Sequence, residues 1–176
     1  MKIDNILLDK LTAQAQVSPR LRMNLDLRNS AADTSQRMLN AIEPGSVVPI
    51  HRHRKTSETV VVLRGRVVEE YYDDAGVLVE SFVLGDCHVA DAPRNDVNRD
   101  APRNDVNRDA PRNDVNRDAP RNDVNRDAPR NDVPMVYALN IPAGQWHTLR
   151  VLESGTVILE MKDGAYEPIQ ECDILK

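Results

Sequence analysis

Three histidines and a glutamate fall in two short segments of the sequence. His51 and His53 are two residues apart, so on an extended chain both imidazoles face the same side. Glu58 opens the next predicted strand and can face the same interior, and His147 follows a tight turn at a strand start. Imidazoles and a carboxylate that converge from rigid strands suit a divalent transition metal. The competing interpretation is that the histidines are ordinary surface or core residues.

The spacing favours the metal interpretation. Three of the 4 histidines lie in these two segments, and Gly45 and Gly65 frame the first pair. Chance should rarely place five such residues at fixed spacing, because glycine makes up only about 7% of residues and histidine and glutamate are no commoner. The fourth histidine, His88, lies beside a repeat and is assigned no role. We predict one divalent transition metal, and the ligand types do not choose among Fe, Mn, Ni and Zn.

The elements that must position these residues are predicted strands. Residues 3–16 form a predicted amphipathic helix with Ile3, Ile6, Leu7 and Leu11 on one face and Asp4 in its first turn. The chain then changes to short, β-branched segments with glycine at the turns, which predicts an all-β sandwich or small barrel. The predicted strands cover residues 37–42, 58–63, 66–72, 77–84, 135–141, 147–152 and 156–161.

Residues 91–133 repeat the nonapeptide DAPRNDVNR four times and end with DAPRNDV. The repeat has no glycine and only Ala and Val as apolar residues, so it does not fit a calcium β-roll or a calcium loop. We predict a solvated loop inserted between strands. Residues 1–90 and 134–176 then form one domain. A weaker hypothesis is that the repeat engages a partner.

Bulk properties exclude several classes. The net charge of −5 argues against a nucleic-acid binder that works by bulk charge. No stretch approaches the 18 apolar residues of a transmembrane helix, and the amino-terminal residues do not resemble a signal peptide. The two cysteines, Cys87 and Cys172, form no disulfide framework. We therefore expect a cytoplasmic protein without a membrane partner.

The glycine, histidine and glutamate pattern resembles the cupin motifs. The segment Gly45-x5-His51-x-His53-x4-Glu58-x6-Gly65 is similar to the whole first cupin motif, and Pro142-x-Gly144-x2-His147 is similar to the centre of the second. Val136 and Arg150 stand where the second motif has glycine and asparagine. The segments SPRLRMNLDLR, DTSQRMLNA, VPIHRH and LNIPAGQWHT resemble WbuC-type cupins of the RmlC-like superfamily. This resemblance covers residues 1–84 and 135–165.

The resemblance implies a cupin-type β-barrel (a double-stranded β-helix or jelly roll) with an N-terminal helix. By resemblance, one metal would be held by His51, His53, Glu58 and His147. The family association implies action on a sugar or another small anionic metabolite in surface-polysaccharide (O-antigen) biosynthesis, by a reaction that the resemblance does not specify. A metal-dependent isomerase, epimerase or oxygenase-like enzyme is one expectation. A non-catalytic, metal-dependent binding or regulatory cupin is the alternative. A homodimer is also implied by resemblance only.

Three further residues are candidates for binding the substrate. Arg37 lies on a predicted strand just before the first motif, where an inward guanidinium could clamp a carboxylate or phosphate. An equally weighted interpretation is a salt-bridged or solvated arginine. For Arg22 we prefer the solvated interpretation, and Tyr137 could line the pocket although packing is the simpler role.

Overall fold

A computed structural model describes residues 1–85 and 136–175 of the chain. One helix, eight strands and a short 3-10 turn form in these residues. They are α1 Asn5–Val17, β1 Arg22–Asp26, β2 Ser35–Ile42, β3 Glu58–Arg64, β4 Arg66–Tyr72, β5 Leu78–Gly85, β6 Ala138–Ile141, β7 Trp146–Val151, β8 Thr156–Asp163 and the turn Glu171–Asp173. The predicted repeat insertion, 91–133, lies outside the described residues, so the predicted domain boundaries stay a prediction.

The strands form two antiparallel sheets. The larger sheet has the order β1-β2-β8-β3-β6 and the smaller has the order β5-β4-β7. Alternate residues of each strand face the space between the sheets, because successive side chains project to opposite faces. Val60, Val67, Leu84, Ile141 and Ile158 form an apolar core in this interior. Glu58 lies opposite Ile141 and two residues from Val60 on β3, so it faces the same interior.

Helix α1 covers the outer face of the larger sheet. Leu8, Leu11 and Ala15 pack against Leu39 and Val157, which point away from the barrel interior. Burial of these apolar surfaces anchors the helix, because an isolated helix of this length is marginal in water. Where α1 packs, the larger sheet therefore has apolar residues on its outer face, against the helix, as well as on the face toward the barrel interior.

The structure corrects the predicted helix in two respects. Ile6 was predicted to face the core but is 80% exposed, because the buried stripe runs through Leu8, Leu11 and Ala15. Asp4 was placed in the first turn but is the N-cap residue, where its carboxylate accepts the Leu7 N–H at 3.1 Å. A cap satisfies a backbone donor that the helix itself leaves unpaired.

Strand β1 is absent from the predicted set. Its alternating sequence, Arg22 to Asp26, places Met23 and Leu25 toward α1 and its polar residues toward the other face. The surrounding sequence is also rich in arginine and aspartate, so the two apolar residues of β1 do not stand out as a strand pattern. In residues 1–85 and 136–175, no helix has both the length and the hydropathy to cross a bilayer.

Candidate metal centre

His51 and His147 are brought together by their own backbones. The N–H of His51 donates to the carbonyl of His147 at 2.9 Å, and the N–H of His147 donates to the carbonyl of His51 at 2.8 Å. Residues paired in this way in antiparallel chains project side chains to the same face. The two imidazole centroids accordingly lie 4.3 Å apart.

The ring orientation of both histidines is fixed by a nearby carbonyl. His51 Nδ1 lies 3.0 Å from the Pro49 oxygen, and His147 Nδ1 lies 2.9 Å from the Gln145 oxygen. A carbonyl can only accept, so each Nδ1 carries the proton and each Nε2 keeps its lone pair. This is the arrangement that second-shell carbonyls impose on metal-binding histidines.

His53 completes a group of three ring nitrogens. One nitrogen from each of His51, His53 and His147 lies within 4.8 Å of the others. Nitrogens bound to one ion at roughly 2.1 Å are at most about 4.2 Å apart, so the rings need only small movements to share an ion. The Nε2 of His147 is also buried without a hydrogen-bond partner in the described residues. The donor set therefore fits a transition metal.

Burial keeps two of these imidazoles neutral. It lowers the pKa of His51 to about 4, with a further contribution from the neighbouring His147. Burial also lowers the pKa of His147, against the effect of its bond to the Gln145 carbonyl. The neutral imidazole is the form that binds a metal, so both rings are ready to coordinate at neutral pH.

Glu58 lies beside the histidines at the start of β3. Its buried carboxylate places Oε2 2.9 Å from His53 Nε2 and 3.2 Å from Lys162 Nζ. Burial alone would raise the pKa of Glu58, but the contact with His53 and the positive charge of Lys162 hold the pKa below its usual range. The side chain is therefore an ionised carboxylate, as a metal ligand must be.

The sequence analysis missed three charged residues in the barrel interior. Lys162 and Glu160 alternate with Met161 on β8, and Glu69 alternates with Val68 on β4. Glu69 is only 1% exposed, and neither carboxylate oxygen has a hydrogen-bond partner in the described residues. The available signal was strand alternation, which places Glu69 on the same face as the core residue Val67.

Both buried glutamates favour the protonated form. Burial raises the pKa of Glu69 well above its ordinary value, and the negative charges of Glu58 and Glu160 add to this effect. Burial likewise raises the pKa of Glu160 to about 8, although Lys162 opposes the shift. A protonated carboxyl avoids the desolvation penalty of a buried charge.

A cavity of about 280 Å³ opens directly beside His53. Its wall includes Lys162 and Gln36 from the barrel and Arg52, Arg54 and Lys55 from the segment that carries the histidines. Residues 163–173 close its other side. His53 is the candidate ligand that lines this cavity, and the other charged lining residues are four basic ones, Arg52, Arg54, Lys55 and Lys162, and three acidic ones, Asp163, Glu167 and Asp173.

Two solved structures reproduce this architecture. Residues of this chain superpose on CapF, a capsular polysaccharide assembling protein from Staphylococcus aureus, with a TM-score of 0.51 and 13% identity over 90% of this chain. A second crystal structure of the same protein gives a TM-score of 0.50, also at 13% identity, over 86% of this chain. The barrel has a cupin fold. The chain spans 32% and 28% of the two CapF chains, so this cupin barrel corresponds to one part of that protein.

Other comparisons match the chain less specifically. KdgF from Halomonas sp. superposes with a TM-score of 0.47 at 11% identity, over 85% of each chain. Residues 3–84 match a family described as a domain of unknown function (DUF6016). No curated protein sequence is significantly similar to the chain. The finer resemblance of this cupin to the WbuC type stays a prediction.

The three candidate substrate-binding residues lie in three different environments. Arg37 lies on the face of β2 that packs toward α1, and its guanidinium donates to the Asp33 carboxylate at 2.8 Å. This arrangement does not bring Arg37 to the cupin interior, because its neighbours in the alternation face outward. Tyr137 is exposed. Arg22 faces the interior side, where its charge acts on Glu160.

Proposed function

We propose that this chain is a metal-binding cupin in which His51, His53, Glu58 and His147 hold one divalent transition metal. The observation that carries the proposal is the pair of buried histidines whose Nδ1 atoms bond to carbonyls and which each place one ring nitrogen within 4.8 Å of a ring nitrogen of His53. A buried, unpaired Nε2 on His147 has no evident structural role among the described residues. A ligand that accepts its lone pair resolves this desolvation penalty.

The proposed ligand of the centre is a small anionic metabolite, such as a sugar acid or sugar phosphate. The cavity beside His53 supports access by a molecule of this size, and the Lys162 ammonium in its wall supports a bound negative charge. A transition metal held there supplies Lewis-acid polarisation of a carbonyl or hydroxyl oxygen. The residues His51 and His147 orient it through their carbonyl-bonded rings, and Glu58 contributes a compensating negative charge.

The link to surface-polysaccharide biosynthesis rests on the resemblance to WbuC-type cupins. CapF is named for capsular polysaccharide assembly, but at 13% identity it shares the fold with this chain and no more. We therefore propose the polysaccharide role as the biological setting and the metal centre as the chemical function.

The metal centre is tested by elemental analysis of protein purified without added metal. We expect about one transition metal per chain, because one ligand set is present. The double variant His51→Ala, His53→Ala should lose the metal, since it removes two of the three ring nitrogens. His88→Ala removes the remaining histidine of the sequence and is the matched control, which should keep the metal.

The variants must fold for the comparison to count. We expect the double variant to fold, because loss of two histidines leaves the apolar core unchanged. Circular dichroism and thermal unfolding of each variant check this. A folded double variant that still carries stoichiometric metal would contradict the proposed ligand set. Loss of metal from His88→Ala would contradict it equally.

A further inference from the structure

Lys162 belongs to a row of interior residues that crosses three strands. It lies directly opposite Glu58 of β3 on one side and opposite Gln36 of β2 on the other. Residues opposite one another in antiparallel strands project to the same face. Its side chain is 14% exposed and forms part of the cavity wall beside His53. The ammonium is therefore held between the candidate metal ligands and the cavity.

The contacts of this ammonium involve atoms that a metal would also use. Lys162 Nζ lies 3.1 Å from His53 Nε2 and 3.2 Å from Glu58 Oε2. An imidazole nitrogen has one lone pair, so Nε2 cannot accept a Lys162 N–H and bind a cation at once. A divalent cation on these atoms also repels the ammonium. Lys162 therefore loses contacts when His53 and Glu58 coordinate, and the cavity is the space into which its charge can turn.

The other cations of the cavity wall have partners that coordination leaves in place. Arg52 and Arg54 both bond to the carboxylate of Asp173, and Arg52 also stacks over the Trp146 ring. Lys55 is 82% exposed at its side chain and faces Glu167 at 3.8 Å, where water screens the charge. Among the described residues of this wall, Lys162 is thus the cation whose neutralising contacts depend on the metal ligands.

We infer that Lys162 binds the anionic group of the small molecule that occupies the metal centre. This inference rests on the proposed function and names the substrate class: a small hydroxy acid or similar metal-binding molecule that carries a second anionic group, a carboxylate or a phosphate. An ammonium is a compact point charge with three rotatable donors, so it accepts either group. Lys162 is then a positioning residue, which sets the orientation of the bound molecule relative to the metal.

The test compares matched ligands that differ by one anionic group. Isothermal titration of the metal-loaded protein uses glycolate against tartronate, which adds a carboxylate, and glycerate against 3-phosphoglycerate, which adds a phosphate. We expect the acid with the added anionic group, in at least one pair, to bind about tenfold or more tightly than its parent acid, which corresponds to one charge-assisted contact. The pair with the larger ratio of the two affinities shows whether Lys162 prefers a carboxylate or a phosphate.

In Lys162→Gln, the acid with the added anionic group should bind no more tightly than its parent acid, so the ratio of the two affinities falls to about one. The affinity for the parent acid and the metal content should stay unchanged. Lys55→Gln is the matched control, because it removes the same charge from the same cavity wall and should keep the ratio. A second readout is metal affinity in competition with a chelator, which should rise in Lys162→Gln because a competing cation is removed.

Each contrary result has a definite meaning. If the metal-loaded wild-type protein binds neither tartronate nor 3-phosphoglycerate more tightly than its parent acid, the inference is overturned. The proposed metal centre is not affected by this result. A Lys162→Gln variant that keeps the full ratio overturns the inference in the same way. Loss of metal from Lys162→Gln shows that the lysine supports the ligands instead, which also overturns the inference. A wild-type protein that binds no metal overturns both the inference and the proposed function.

Discussion

His51 and His147 are joined by two reciprocal backbone hydrogen bonds, at 2.9 and 2.8 Å, although they lie far apart in the sequence. His51 also forms a backbone bridge with Ile174 near the carboxyl end of the chain. The positions of both imidazoles are therefore set by paired backbone and not by mobile side chains. A site built on paired strands is more rigid than one built on loops, which is what coordination geometry requires.

The pH at which metal is released tests the environment of these histidines. An unperturbed histidine begins to bind protons near pH 6.5. Burial lowers the pKa of His51 to about 4 and also lowers that of His147, so protons compete with metal only at lower pH. We expect the metal content, measured after dialysis across a pH series, to reach its midpoint below about pH 6. A midpoint at 6.5 or above would show that the imidazoles are not buried as described.

The stability of chelator-treated protein should fall as the pH rises from 6.5 to 8.5. The folded pKa of Glu160 is about 8, above its unfolded value, so the folded state binds more protons across this window. The free energy of unfolding then decreases with pH, by on the order of 1 kcal/mol or more, because each pKa unit corresponds to about 1.4 kcal/mol. Denaturant unfolding at several pH values measures this decrease.

Glu160→Gln should make this slope smaller, since an amide does not titrate, while the buried Glu69 continues to contribute because its pKa is also raised. The exposed Glu80 supplies the control, because Glu80→Gln should leave the slope as in the wild type. An unchanged slope in Glu160→Gln would show that another group is responsible.

Gly65 is the tight turn between β3 and β4 and tests the packing of the larger sheet. Its φ is +83°, and a Cβ added there would lie 2.3 Å from Thr156 Oγ1 and 2.9 Å from Thr156 Cα. Gly65→Ala therefore combines backbone strain with a collision against backbone, and we expect a loss of about 2–4 kcal/mol. Gly144 has a similar φ of +84° with nothing within 4 Å of an added Cβ. Gly144→Ala should thus lose only about 1 kcal/mol, and equal losses in urea unfolding would contradict this account.

The two ends of the segment outside the described residues meet in the barrel. The N–H of Gly85 donates to the carbonyl of Val136 at 3.0 Å, so a short linker can join the two strands. We expect a variant in which a short Gly-Ser linker replaces residues 91–133 to fold, to keep its metal and to unfold within a few degrees of the full chain, because lengthening a surface loop adds little closure entropy. Thermal unfolding and elemental analysis check this. Failure to fold would show that the repeat contributes to the domain.

Local patterns predicted most of the strands. The segments that became β3, β4 and β8 are short, β-branched and bounded by glycine turns, so they can be recognised as strands without tertiary information. The segment that became β1 was missed because its interior-side residues, Arg22, Asn24 and Asp26, are polar or charged. The face of α1 was also misjudged, since Ile6 and Leu8 are equally apolar and only the sheet decides which of them is covered.

The candidate ligands were predictable, but their surroundings were not. The spacing of His51, His53 and Glu58 is visible in the sequence, whereas Lys162 has no local signal that links it to them. It reaches Glu58 through the pairing of β8 with β3. Arg37 shows the same limit in reverse, because its proximity to the motif in the sequence says nothing about which face of β2 it occupies.

The sequence by itself determined most of the strand content, the glycine turns and the candidate metal ligands, because these depend on residue type and short spacing. Only the tertiary structure decided which charges share the interior. Strand register is set by long-range pairing and by which faces are buried, so the meeting of Glu58, Lys162 and His53 follows from the assembled barrel. Burial, which holds His51 neutral and Glu69 uncharged, is likewise a property of the whole fold.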